Sequence, residues 1–150
     1  MPMIRVHGTC IAVDGEGILL RGPPGSGKSD LALRLIAAGA RLVADDQTEL
    51  RSGDGDVRAT APPPIAGWIE IRGVGLLPCP TLSEAPLRLV VDLVPIGAVE
   101  RLPEPLVCHY LGLALPLLRL AAFEASTPAK LDFALRNRAL LGHGAKEPVG

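Results

Sequence analysis

Residues 17–39 read GILLRGPPGSGKSDLALRLIAAG, which joins an apolar run, a glycine-rich turn and an amphipathic segment. The turn, residues 22–29, fits the pattern G-x-x-x-x-G-K-[ST] of a phosphate-binding loop, or P-loop. Gly17–Arg21 before it is typical of a buried strand, and the apolar stripe of Ser29–Ala38 predicts a helix that Gly39 ends. A strand, a loop and a helix in this order are the context in which the motif binds phosphate. The stretch therefore predicts an α/β fold built around a P-loop.

Each residue type in the loop has a chemical reason to be there. The glycines allow consecutive backbone N–H groups to turn towards phosphate oxygens, and the helix N-terminus adds partial positive charge. Lys28 can reach the β and γ phosphates, and the Ser29 hydroxyl can ligate Mg²⁺. The alternative is a glycine-rich turn that binds nothing. The predicted nucleotide-binding residues are Gly22, Pro23, Pro24, Gly25, Ser26, Gly27, Lys28 and Ser29.

Strand and turn patterns continue on both sides of this unit. Asp14-Gly15-Glu16 predicts a hairpin turn between Thr9–Val13 and Gly17–Arg21, and Gly53-Asp54-Gly55-Asp56 predicts another within residues 48–60. Further strands are predicted at Arg41–Ala44, Trp68–Arg72, Leu87–Leu93 and Leu115–Leu120, and Thr127-Pro128 predicts the N-cap and first turn of a last helix. We expect one domain over residues 1–141, a mixed sheet with flanking helices, and a flexible tail over 142–150.

An acidic pair follows one of these strands. Asp45 and Asp46 come directly after the hydrophobic run Arg41–Ala44, where a carboxylate can face a metal ion and a γ-phosphate. Neighbouring side chains of an extended chain point to different sides, so one could hold Mg²⁺ while the other accepts a proton. The alternative is a solvated acidic turn.

Composition excludes several classes of function. Only 3% of the 150 residues are aromatic and the net charge is −1, so nucleic acid is a poor candidate ligand. The apolar segment Pro105–Ala122 is interrupted by His109, Pro116 and Arg119, which argues against a membrane helix and for core strands. Three cysteines without a C-x-x-C pair fit a reducing cytoplasm better than disulfides or zinc. The start of the chain lacks the pattern of a signal peptide.

Four segments occur in order along the chain: His7-Gly8, the P-loop with Lys28-Ser29-Asp30, Leu42–Asp46 and the stretch IEIRGVG over residues 69–75. Together they resemble the HPr kinase/phosphorylases, which phosphorylate a serine of the phosphocarrier protein HPr. The last is the most specific, because E-I-R-G-x-G is a family signature that a general P-loop protein has no reason to carry. The resemblance runs from about His7 to Arg101.

The resemblance implies a fold, a reaction and roles for individual residues. The expected fold is a single P-loop kinase domain of the HPr kinase type, using ATP and Mg²⁺ to phosphorylate an HPr-like phosphocarrier. It implies that Lys28 contacts phosphate, that Ser29 and Glu70 ligate Mg²⁺, and that Asp46 is the base that activates the substrate serine. His7 and Arg101 correspond to a catalytic histidine and arginine. Family members also imply a homo-oligomer, such as a hexamer.

Three departures shape these expectations. The chain begins just before His7, so it resembles a form consisting of the catalytic domain alone. The family's Gly-Arg-Asn loop has no clear equivalent, since residues 123–130 read FEASTPAK, which favours the kinase reaction over phosphorolysis of phosphoserine-HPr. Pro23-Pro24 replaces the usual acidic residue and serine of the loop.

Other interpretations remain open at the level of sequence. A small-molecule P-loop kinase, a nucleotide-binding regulatory module without transfer activity, and a structural subunit would each account for part of the pattern. Taken alone, His7 fits a half-buried structural histidine, and Glu70 with Arg72 fits a surface ion pair on a half-exposed strand. Trp68, the only tryptophan, is expected to anchor the core.

Overall fold

A mixed β-sheet with helices on one face forms the body of the molecule, shown here by a computed structural model that describes residues 2–63 and 66–141. The strands are β1 (Met3–His7), β2 (Thr9–Val13), β3 (Glu16–Arg21), β4 (Arg41–Ala44), β5 (Gln47–Gly53), β6 (Asp56–Thr60), β7 (Trp68–Ile71), β8 (Gly75–Pro78), β9 (Ala85–Leu93), β10 (Leu106–Tyr110) and β11 (Leu113–Leu120). The helices are α1 (Lys28–Ala37), α2 (Thr127–Arg136) and the short α3 (Arg138–Leu141). The predicted α/β class with a mixed sheet and flanking helices is confirmed.

Strand direction places the carboxyl ends of four strands at the same end of the sheet. β9 runs parallel to β3, and β11 runs parallel to β9, so their carboxyl ends lie side by side. β2 is antiparallel to both β3 and β4, and β4 therefore runs in the same direction as β3. The order across this part of the sheet is β11, β9, β3, β2 and β4, with β3 in the middle. The P-loop, which follows β3, is consequently flanked by the ends of β4 on one side and of β9 and β11 on the other.

The remaining strands curl the sheet. β1, β5 and β6 pair antiparallel, and β6 joins the start of β9 through Arg58 and Ala59 opposite Pro86 and Ala85. The later part of β9 pairs instead with β11. β7 and β8 form a separate two-stranded hairpin. Both predicted hairpin turns are present, with Asp14-Gly15 and Asp54-Gly55 in the left-handed conformation that two-residue turns of this kind require.

Each face of the sheet buries its own apolar cluster. On one face, Leu31 and Leu35 of α1 and Leu131 of α2 pack against strand residues such as Leu20 and Val91. The opposite face packs strand against strand in a second aliphatic cluster, whose members include Cys10, Leu19, Val43, Leu50, Val57, Val90 and Leu117. Aliphatic side chains fill both clusters, as the low aromatic content requires.

Two details differ from the sequence predictions, and a third prediction falls on residues outside the described ranges. Trp68 is 45% exposed on the β7–β8 hairpin, so its expected role as a core anchor is wrong. Ser126 rather than Thr127 is the N-cap of α2, because the buried Thr127 hydroxyl donates a hydrogen bond to the Ala121 carbonyl. The predicted tail, residues 142–150, lies outside the described residues. No helix in the described part of the chain is long and apolar enough to span a membrane.

Candidate functional site

The P-loop has the backbone shape that its glycines predict. Gly25 and Gly27 are left-handed, with φ of 83° and 100°. A Cβ atom on Gly27 would lie 2.5 Å from the Cβ of Ala122, so only glycine fits there. Gly27 is also the N-cap of α1 and makes no side-chain capping bond, which leaves the first N–H groups of the helix directed at the loop. This arrangement suits a phosphate anion.

Lys28 is the first residue of α1 and reaches back across the loop. Its Nζ donates hydrogen bonds to the carbonyl oxygens of Gly22, at 2.5 Å, and Pro23, at 3.3 Å. The ammonium group is therefore held at the mouth of the loop, where a bound polyphosphate would meet it.

Asp45 connects four elements through one buried carboxylate. It is 9% exposed, and its Oδ1 accepts hydrogen bonds from the hydroxyls of Thr9, at 3.1 Å, and Ser29, at 3.3 Å. Its Oδ2 accepts the backbone N–H of Glu70 at 3.2 Å. These contacts tie the end of β4 to β2, α1 and β7. Asp45 thus fixes the Ser29 hydroxyl and the strand that carries Glu70.

Asp46 is held in a different way. Its backbone is left-handed, with φ of 64°, and its side chain is exposed. Its N–H donates to the Thr9 hydroxyl at 3.1 Å, and its carbonyl oxygen accepts the Gly8 N–H at 2.8 Å. The backbone is clamped on both sides while the carboxylate projects freely, an unusual conformation of the kind that often occurs at functional sites.

A cavity of about 330 Å³ brings most of the predicted site residues together. Lys28 and Ser29 line one wall, and Asp46 and Glu70 line another. The full lining is Pro24, Gly25, Gly27, Lys28, Ser29, Asp30, Leu33, Asp46, Glu70, Ile71, Arg72 and Phe123. The alternative for Glu70, a surface ion pair with Arg72, does not form among the described residues; both residues line the cavity instead.

Two other predicted catalytic residues do not line this cavity. His7 ends β1 beside it, one residue before Gly8, whose N–H binds the Asp46 carbonyl. Arg101 is exposed in the segment between β9 and β10. The roles implied for these two residues stay predictions.

Sequence reasoning missed three contributors to the site. Thr9 bonds to both aspartates, and its signal was a lone hydroxyl in an otherwise apolar or thiol-bearing strand beside the P-loop. Arg72 was considered only as an ion-pair partner, although it belongs to the family signature. Phe123 comes from a segment with no recognisable motif.

On the opposite face of the sheet, Arg21 secures the strand end from which the loop departs. Its guanidinium donates to both carboxylate oxygens of Asp92, at 2.7 and 2.9 Å, and to the Tyr110 hydroxyl at 2.9 Å. Burial alone would lower the pKa of Arg21, but the bonds to Asp92 and Tyr110 outweigh it and raise that pKa. The permanently charged group therefore links the ends of β3, β9 and β10.

The chain resembles known proteins along most of its length. Residues 1–94 match the family model of the HPr serine kinase C-terminal domain. An HPr kinase/phosphorylase of Clostridium tetani is 39% identical over 103 residues, which cover 69% of this chain and 33% of that protein. An HPr kinase/phosphorylase of Burkholderia lata is 36% identical over 151 residues, covering 93% of this chain and 47% of that protein.

The fold has a similar counterpart among solved structures. The Hpr(Ser) kinase/phosphatase from Coxiella burnetii superposes with a TM-score of 0.79 at 25% identity, covering 91% of each chain. This chain spans between a quarter and about half of the length of the curated relatives it matches. With a family model matched over more than half of its residues, the chain belongs to the HPr serine kinase C-terminal domain family.

Proposed function

We propose that this domain transfers the γ-phosphoryl group of ATP to a serine hydroxyl of an HPr-like phosphocarrier protein. The observation that carries the proposal is the single cavity shared by Lys28 and Ser29 of the P-loop and by Asp46 and Glu70. A module that only binds nucleotide needs the first pair, whereas a phosphotransferase also needs a carboxylate facing the terminal phosphate. Similarity to proteins named HPr kinase/phosphorylase supports the choice of acceptor.

Asp46 is the carboxylate suited to act as the base. Both oxygens of Asp45 already accept hydrogen bonds, while the Asp46 carboxylate makes none with any described residue. In the proposed reaction the serine Oγ–H proton passes to Asp46 as the Oγ–P bond forms. The bond from the γ-phosphorus to its bridging oxygen breaks, and ADP leaves.

The donor atoms in the cavity suit Mg²⁺. The described residues contain no cluster of three or more His, Cys, Asp or Glu side chains arranged as a metal site. Mg²⁺ in phosphotransferases is usually held by one or two protein oxygens together with substrate phosphates and water, so the Ser29 hydroxyl and the Glu70 carboxylate are a sufficient set. When bound, the ion would neutralise charge on the phosphates.

The proposal also covers the cellular compartment in which the domain acts. All three cysteines are free thiols, as expected in a reducing compartment, and we place the protein in the cytoplasm with its acceptor. The homo-oligomer implied by the family resemblance stays a prediction.

The decisive experiment combines labelled ATP, Mg²⁺ and an HPr-like phosphocarrier, followed by mapping of the phosphorylated residue. We expect phosphoserine, and we expect Asp46→Asn to slow transfer by about 10²-fold or more while ATP still binds. Asp54→Asn is the matched control, because Asp54 is also an exposed aspartate with a left-handed backbone, but lies in the β5–β6 turn.

The outcomes separate the alternatives. A phosphohistidine product would contradict the proposal. ATP binding without transfer to any phosphocarrier would favour the regulatory module, and transfer to a metabolite alone would favour a small-molecule kinase. Incubating phosphoserine product with inorganic phosphate tests phosphorolysis in the same preparation.

A further inference from the structure

A second cavity lies against the P-loop on the side away from the aspartates. Its volume is about 540 Å³. Three segments line it, each following one of the parallel strands: Pro23 to Ser26 after β3, Leu93 to Ile96 at the end of β9, and Ala121 to Glu124 after β11. The carboxyl ends of parallel strands are where α/β sheets bind ligands. Apart from the P-loop residues, no residue that lines this cavity has been given a role above.

We propose that this cavity receives the nucleobase of the nucleotide whose phosphates lie in the P-loop. The inference rests on the triphosphate-binding part of the proposed function. The two cavities adjoin each other, because Pro24, Gly25 and Phe123 line both. A ligand can therefore have its charged end on the P-loop and its base in the second cavity.

The in-line geometry of phosphoryl transfer favours this side of the P-loop for the nucleoside. In phosphoryl transfer the attacking and leaving oxygens lie roughly in line with the phosphorus. The acceptor must approach beside Asp46, which follows β4, so the nucleoside diphosphate must extend away from β4. Across β3 from β4, the sheet continues into β9 and β11, whose ends form the second cavity.

The lining suits an aromatic base. It is mostly apolar, with Pro23, Pro24, Ile96 and the Phe123 ring among its members. Ile96 and Phe123 are 66% and 69% exposed, so both present surface that a ligand can cover. A planar base gains stacking energy against an aromatic ring such as Phe123.

One polar atom in this wall is unusual. The Ser26 Oγ is buried and has no hydrogen-bond partner among the described residues. Ser26 belongs to the P-loop and lines the second cavity where it meets the loop. A sugar between base and phosphates would bring hydroxyl groups to that position, so the junction is polar where the proposed ligand is polar.

Hydrogen bonds within the protein hold the wall of the second cavity in place without a ligand. Arg34 of α1 donates to the carbonyl oxygens of Ala122 and Glu124, and the Thr127 hydroxyl donates to that of Ala121. The N–H of Val94 donates to the Leu120 carbonyl at 2.9 Å, joining the segments after β9 and β11. A preformed pocket loses little entropy on binding. This wall also includes the start of the FEASTPAK segment, so the family resemblance does not predict it.

The test compares two probes that differ by the nucleoside: Mg²⁺-ATP and Mg²⁺-tripolyphosphate, measured by calorimetry on the whole chain. We expect ATP to bind more tightly in the wild type. Phe123→Ala should weaken ATP binding about tenfold, the size of a lost base–aromatic stack, with tripolyphosphate affinity unchanged. Ile96→Ala should act in the same direction, and Ile96 lines only the second cavity.

Phe133→Ala is the matched control, since Phe133 is an equally exposed phenylalanine, at 65%, on α2 and lines neither cavity. The proposal would be overturned if the Phe123 and Ile96 variants lost affinity for ATP and tripolyphosphate equally, or if their ATP affinity were unchanged. A changed oligomeric state with ATP affinity intact would also overturn it. A preference for ATP that these variants abolish, in a protein that transfers no phosphate, would support this pocket while refuting the kinase.

Discussion

On the β4 side of the P-loop the cavity wall is acidic and hydrogen-bonded, and on the β9–β11 side it is apolar. Asp46 and Glu70 line the first wall, which the buried Asp45 supports by accepting the Glu70 N–H, and Ile96 and Phe123 belong to the second. Both walls meet the same loop after β3. From this difference we infer that the two sides bind different groups. The acidic side binds the metal ion, the γ-phosphate and the acceptor, and the apolar side binds the base.

The largest effect should come from the loop that both sides share. Lys28→Ala removes a positive charge from the position where charge develops on the transferred phosphoryl group, so transfer should fall by about 10²-fold or more. Unlike Phe123→Ala, it should weaken ATP and tripolyphosphate alike, as measured by calorimetry. Lys28 is only partly buried at the helix start, and circular dichroism should show unchanged folding. Normal turnover in this variant would contradict the P-loop assignment.

The acidic side was accessible to sequence reasoning because its residues lie in short local patterns. The P-loop motif, the pair after Arg41–Ala44 and the signature over residues 70–75 each predicted a candidate residue that the structure places in the lining of one cavity. The hairpin turns at Asp14-Gly15 and Asp54-Gly55 were predictable for a similar reason, since few residues adopt a left-handed backbone.

The apolar side could not be predicted in this way. Its walls come from three segments that meet only because β3, β9 and β11 pair in parallel, and apolar residues after a strand look like ordinary core or loop. The same limit explains Trp68, whose apolar side chain predicted burial although the β7–β8 hairpin leaves it 45% exposed. The different environments of Asp45 and Asp46 were also beyond prediction from local patterns, because the hydrogen bonds of Asp45 come from Thr9 and Glu70, which are distant in sequence.

The Asn variants of the two aspartates should rank in opposite order in two assays. Asp45→Asn should lower the free energy of unfolding more, and Asp46→Asn should lower the transfer rate more. Asp45→Asn replaces one acceptor oxygen of a buried carboxylate with an NH₂ group, which cannot accept the bonds from Thr9, Ser29 and the Glu70 N–H together. We expect a loss of about 1–3 kcal/mol in the free energy of unfolding, measured with urea. Asp46→Asn should leave this free energy unchanged, since its carboxylate is exposed.

In transfer assays Asp45→Asn should cost less than Asp46→Asn, because only Asp46 offers an unoccupied carboxylate to the acceptor. A normal transfer rate in Asp46→Asn together with a large loss in Asp45→Asn would assign the base to Asp45 instead.

Glu70→Gln tests whether the acidic wall binds a metal ion. Mg²⁺ prefers charged oxygen ligands, so the amide should raise the Mg²⁺ concentration needed for half-maximal transfer, with a smaller loss of rate at saturating Mg²⁺. Glu84→Gln serves as the control, because Glu84 pairs with Arg58 away from the cavity. An unchanged Mg²⁺ dependence in Glu70→Gln would return Glu70 to the role of a surface residue on β7.

The smallest effect concerns a thiol beside the acidic wall. Burial and then the negative charge of Asp45 raise the pKa of the Cys79 thiol. Removing that charge in Asp45→Asn should lower the Cys79 pKa, increase the thiolate fraction at pH 8 and speed alkylation by iodoacetamide. Burial raises the pKa of Cys10 to about 12, so Cys10 should stay unreactive in the folded protein. Cys108 lies beside Arg21 on the opposite face of the sheet, and its alkylation rate, followed by peptide mass spectrometry, provides the internal reference. If all three thiols became faster together, the variant would have loosened the whole fold; a gain confined to Cys79 would show that the Asp45 charge is felt locally, on the acidic side alone.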